Sequence, residues 1–186
     1  MQWPPLRYAE WGDTKETLHL WTQVVGKIRM EKMWPVNHWW HVTLYLTSRG
    51  LSTSPIPDEN RTFDIEFDFI AHRLGITTSD GVRRGFELRP MSVADFYQTV
   101  LDALTELEIA VKINTHPSEI PDAIPFETDR VHKSYDPDSV SRFWRVLVSS
   151  CQVMTEFRSR FIGKVSPIHY FWGGMDMAVT RFSGRG

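Results

Sequence analysis

The chain has 186 residues, of which 41% are hydrophobic and 24% charged, with a formal net charge of -2. Such a composition supports one domain with a real core and excludes a disordered chain, while the near-neutral balance argues against a dedicated nucleic-acid partner. No apolar run reaches the roughly 20 residues that span a bilayer, so no membrane partner is expected.

The start, Met-Gln-Trp-Pro-Pro, has neither the basic nor the apolar stretch of a secretory leader. A lone cysteine, Cys151, excludes an intrachain disulfide and a cysteine-rich zinc site, and points to a reducing, cytoplasmic location.

Asp13-Thr14-Lys15-Glu16 has the spacing of a capping box. Behind it Leu18, Trp21, Val25 and Ile28 recur at helical intervals, which predicts a helix over 14–32 that ends at Trp34-Pro35. His19, Gln23 and Lys27, spaced four apart, read as a solvent-facing stripe of that helix. Residues 41–47 alternate as a strand, with Val42, Leu44 and Leu46 against His41, Thr43 and Tyr45. A second alternating run over 63–70 sets Phe63, Ile65, Phe67 and Phe69 against Asp64, Glu66 and Asp68. Strands over 74–79 and 82–88 flank Asp80-Gly81, a tight hairpin turn.

Ser92 caps a second helix over 93–108, and 109–113 reads as a short strand. Residues 114–136, rich in proline and turn formers, form a long loop of the kind that often carries function. Pro137 opens a third helix that runs to about Arg160. Segments 165–172 and 175–182 around Gly173-Gly174 then close the chain as a hairpin. Together these predict an α+β fold: a mostly antiparallel sheet of six or seven strands with about three helices packed on one face, in a single domain over 1–186.

The polar sheet face is where chemistry is expected. Strand parity sends His41 and Asp68 to the side opposite Val42 and Phe67, and His72 follows Asp68 by the same rule. His38, His41, Asp68 and His72 are therefore the candidate metal ligands, because two histidines and a carboxylate can hold an open, reactive divalent ion. The alternative is an ordinary solvated face. His38 and His41 oppose one another on a regular strand, so joint ligation requires a loop through Trp39.

His132 lies in the long loop between Asp129 and Asp136. A histidine beside a carboxylate suits acid/base chemistry, since the carboxylate fixes the tautomer. Asp136 equally fits the cap of the third helix. His169, set among aromatics, reads as a core histidine or as a base. His132, Asp136 and His169 form the candidate catalytic set.

Other chemistry finds less support. Cys151, inside the third helix, reads as a small apolar residue, and there is no nucleophile elbow, phosphate-cradling glycine loop or dinucleotide fingerprint. Charge is uneven: 14 Lys/Arg against 20 Asp/Glu before residue 137, and 7 against 3 from there on. Arg158, Arg160 and Lys164 read as a helix end complementing its dipole, or as an anion site. The eight tryptophans fill the core or line an aromatic surface.

Several stretches carry a resemblance. They are 17–27 (Thr17-Leu-His-Leu-Trp-Thr-Gln-Val-Val-Gly-Lys27), Asn37-His38-Trp39-Trp40-His41, Phe67-Asp-Phe-Ile-Ala-His72, Ser92-Val-Ala-Asp-Phe-Tyr97, Pro125-Phe126, His132-Lys-Ser-Tyr-Asp136, 161–173 and Thr180-Arg-Phe-Ser-Gly-Arg185. With them the chain resembles, over nearly its whole length, an uncharacterised bacterial family, the domain of unknown function family 5996. The resemblance implies no particular chemistry and carries over no catalytic residue. It does imply a further C-terminal segment in relatives, beyond the point where this chain stops at Gly186.

Two functions follow as expectations. One is an enzyme, metal-dependent or acid/base, acting on a small molecule at the polar sheet face. The other is a binding module whose aromatic surface recognises a small molecule or a second copy of the chain.

Overall fold

The structure, a computed structural model, describes residues 3–184. Helices α1 (Tyr8–Lys32), α2 (Val93–Glu106) and α3 (Pro137–Ser159) accompany eight strands. The strands are β1 (Tyr45–Leu46), β2 (Gly50–Ser52), β3 (Ile56–Asp58), β4 (Arg61–Asp68), β5 (Arg73–Thr78), β6 (Arg83–Glu87), β7 (His169–Phe171) and β8 (Asp176–Ala178). The first six form an antiparallel sheet in the order β1-β2-β4-β5-β6, with β3 also on β4, and β7 and β8 form a separate pair.

β2 and β3 share one edge of β4, pairing with residues 66–68 and 61–63 respectively. Between them Ser54 is left-handed (φ 58°) and Pro55 has no N–H to donate. The Thr53 hydroxyl takes over there, accepting the Ile65 N–H at 2.9 Å. The β5–β6 hairpin turns at Gly81, whose φ of 91° suits glycine.

The alternation of β4 works as read. Phe63, Ile65 and Phe67 are at most 1% exposed, and Leu74 and Ile76 continue their face on β5. Against this face pack Leu18, Trp21, Val25 and Ile28 of α1 and Phe96, Val100 and Leu104 of α2. Four rings stack through the layers. Tyr135 lies 5.4 Å from Trp21, Trp21 4.7 Å from Phe96, and Phe96 6.2 Å from Phe67.

Helix α1 is the axis of the molecule, with every residue from Trp21 to Arg29 buried. Gly26 is needed because a Cβ there would sit 2.2 Å from the Trp172 ring. Trp172 in turn donates its indole N–H to the Val42 carbonyl at 2.7 Å. The closing hairpin is thereby locked onto α1 and onto the segment before β1.

Three expectations are corrected. α1 begins at Tyr8 behind Arg7, which makes no side-chain cap, so Asp13–Glu16 lies inside the helix. Residues 109–113 form no strand: the Ile109 N–H returns to the Leu104 carbonyl, and Ile109 and Ile113 bury their side chains without a ladder partner. The first strand shrinks to Tyr45–Leu46, because the Trp39 carbonyl accepts the Val42 N–H in a turn and Leu44 pairs instead with Tyr170.

Candidate functional site

The shortened first strand removes the parity on which the metal set rested. His41 is 6% exposed and Thr43 0%, on what was expected to be the open side. His41 Nδ1 receives the Val36 N–H at 3.1 Å. His38 is exposed and left-handed (φ 58°), with its ring 4.9 Å from Trp40 and 5.1 Å from Phe182.

Asp68 is engaged at the other end of the sheet, accepting from Arg49 Nε at 2.6 Å and from the amides of Ile70 and Ala71 at 2.9 and 2.8 Å. His72 Nδ1 lies 2.9 Å from the Tyr135 hydroxyl, whose pKa burial pushes up. Among the described residues no three His, Cys, Asp or Glu side chains form a group that could hold a metal ion. The structure does not bring His38, His41, Asp68 and His72 together; each is bound to its own neighbours.

Asp136 caps α3, accepting from the Asp138 and Ser139 amides at 3.3 and 3.2 Å. The Ser139 hydroxyl, more than those amides, holds its carboxyl below the usual range. His169 is 2% exposed, with Nδ1 2.8 Å from the Pro167 carbonyl. Both occupy structural positions, away from any cavity described below.

His132 is placed differently. Asp129, fully buried, accepts the amides of Val131 and His132 on Oδ1 at 3.0 and 3.1 Å, and its Oδ2 lies 2.7 Å from His132 Nδ1. The loop is held from two sides. The carbonyls of Asp129 and His132 accept the first amides of α2, from Ala94 and Val93, at 2.9 and 3.0 Å. These are donors that a helix start leaves unpaired. From α1, Thr17 Oγ1 accepts the Ser134 amide and Thr14 Oγ1 the Asp136 amide, each at 3.1 Å. This docking brings Glu16 Oε2 to 3.9 Å from His132 Nε2.

Two cavities meet at that pair. A cleft of about 850 Å³ lies towards Ser92, Asp95 and Arg130. A smaller one of about 480 Å³ lies towards His19, Glu119 and Asp122. Glu16 and His132 line both. The contact of Nδ1 with a buried carboxylate leaves Nε2 turned to the cavities, the arrangement a general base requires. Glu16, which the sequence presented as part of a cap, is the group that reading missed. A helix beginning one and a half turns earlier would have put it on an open flank.

The polar stripe of α1 is also corrected. Gln23 is 0% and Lys27 3% exposed, under the loop that follows α2. Gln23 receives the Ser118 amide on Oε1 at 2.7 Å and donates Nε2–H to the Ser118 carbonyl at 3.0 Å. Lys27 donates to the His116 carbonyl at 2.6 Å, and burial lowers its pKa. His19 Nε2 lies 2.9 and 2.8 Å from the Trp172 and Gly173 carbonyls, to which it donates.

Burial pushes both His19 and His169 below the ordinary histidine pKa, and carbonyl acceptors oppose that shift in each. The folded chain thus binds protons less readily at these positions than the unfolded chain. Their neutral forms contribute fully above the ordinary value of 6.5, and that contribution is lost as pH falls from there through the folded pKa values. We expect the melting temperature to drop between about pH 7.5 and 5, and the drop to shrink in a His19→Gln, His169→Gln double variant. An unchanged slope in that variant would assign the acid sensitivity to other groups.

The fold and this geometry define an α+β protein built round a buried helix, with a histidine–carboxylate pair between two cavities. The chain belongs to the family of unknown function DUF5996, whose profile matches residues 3–186. No curated protein and no solved structure matches the chain. No helix among the described residues is long and apolar enough to cross a membrane.

Proposed function

We propose that the protein is an acid/base enzyme acting on a small polar molecule in the cleft beside His132. The site lies among the helices and not on the polar sheet face. The observation that carries this reading is the 2.7 Å contact between His132 Nδ1 and Asp129, a carboxylate with 1% side-chain exposure, while His132 itself stays 30% exposed. Asp129 orients the ring, His132 Nε2 takes a proton from substrate or water, and Glu16 accepts a hydrogen bond from the same reacting group.

The test measures hydrolysis of p-nitrophenyl acetate and phosphate, and deuterium exchange into a panel of small carbonyl acids. Wild type is compared with His132→Gln and Asp129→Asn. Positioned general bases contribute about 10²–10⁴-fold, so His132→Gln should lose that much of any activity found. Turnover that persists undiminished without His132 removes the proposal.

A further inference from the structure

From Gln152 to Arg160 every residue but Met154 is exposed, so the last turns of α3 project from the body. The chain then forms a tip at Phe161-Ile162-Gly163-Lys164, where Ile162 is 102% exposed and Gly163 takes φ 154°. Phe157, on the projecting turn, is 47% exposed. An aliphatic side chain held wholly in water at a tip gains nothing from this fold.

Cations surround it. Arg181 lies 3.5 Å over the Phe157 ring, Lys164 4.9 Å over the Phe182 ring, and Arg158 Nε donates to the Ser166 carbonyl at 2.8 Å. Arg160 is paired with Glu156, whereas these three have no carboxylate partner among the described residues. The neighbouring turn adds a tryptophan. His38, which packs on Phe182, and Trp39 are both left-handed (φ 58° and 59°), and this strained backbone leaves Trp39 64% exposed.

We infer that this end of the molecule is a docking surface for an anionic lipid bilayer. Ile162 enters the acyl boundary, Trp39 and Phe157 with Arg181 over its ring lie at headgroup level, and Arg158 and Lys164 face lipid phosphates. The uncompensated positive charge argues against a second copy of the chain, which would bring like charges together across a two-fold axis. The aliphatic tip argues against single-stranded nucleic acid, which stacks on open aromatic faces, whereas here cations cover Phe157 and Phe182. A surface contact needs no spanning segment, so the lack of a long apolar run does not bear on it.

The experiment is co-sedimentation of the full chain with vesicles of phosphatidylcholine alone or with about 30 mol% phosphatidylserine, at about 0.05 and 0.5 M NaCl. Binding should be severalfold stronger with phosphatidylserine and should fall severalfold at the higher salt. Ile162→Asp should weaken it about tenfold with an unchanged melting temperature, and Lys164→Glu should reduce the preference for the anionic lipid. Equal binding to both vesicles, binding to neither, indifference to Ile162→Asp, or retention only by a single-stranded oligonucleotide would each overturn the inference.

Discussion

Replacing Trp21 with alanine is expected to cost about 3–5 kcal/mol and to loosen the His132 loop together with the core. Trp21 is 0% exposed and sits in the middle of the four-ring stack. Its removal leaves a cavity that Phe96 and Tyr135 cannot both close, since each is fixed by its own backbone element. Tyr135 is three residues from His132, so the damage reaches the candidate site by a short path. Trp21→Phe separates packing from polarity. The Trp21 indole N–H is buried and has no hydrogen-bond partner among the described residues, so losing it forfeits no bond there. That variant should cost only about 1–1.5 kcal/mol, measured by urea unfolding. If phenylalanine and alanine prove equally damaging, the stack is not what stabilises this layer.

Asp129→Ala is the second large effect. The carboxylate accepts two backbone amides and an imidazole while fully buried, so its loss strands three donors and opens a small void. We expect about 2–4 kcal/mol of destabilisation, together with hydrogen exchange at the Val131 and His132 amides. Asp129→Asn keeps the volume and can still accept the amides through one oxygen, but its NH₂ group opposes the His132 Nδ1–H. The asparagine variant should therefore retain most of the stability while turning the imidazole to its other tautomer. A histidine side-chain NMR spectrum unchanged between wild type and Asp129→Asn would contradict that account.

What could be read in advance was local. Ser92 before α2, Asp136-Pro137 before α3 and Gly81 in its hairpin act on their own backbone, and each does in space what its chemistry suggests. The alternation of β4 survived for the same reason, since eight residues in register leave no ambiguity of face. The parity of His41 failed because Leu44 pairs with Tyr170 and Trp172 bonds the Val42 carbonyl, contacts some 130 residues away that leave His41 in a turn against Val36 and Trp39. His19, Gln23 and Lys27 failed likewise: their spacing was read correctly, but the partner of Gln23 and Lys27 was a loop with no period of its own, and that of His19 was the turn of the closing hairpin. The candidate site divides along the same line. Asp129 and His132 are three residues apart, so their meeting was legible. Glu16 reaches them only because Thr14 and Thr17 hold the loop against α1, which no spacing within either segment announces.

The grip of α1 on the loop over 116–118 has an evolutionary corollary. Gln23 and Lys27 seize main-chain amides and carbonyls, never the side chains of His116 or Ser118. This grip leaves the side chains at 116 and 118 unspecified, proline at 118 excepted because it has no N–H to offer. The inheritance that matters is written on the helix beneath it.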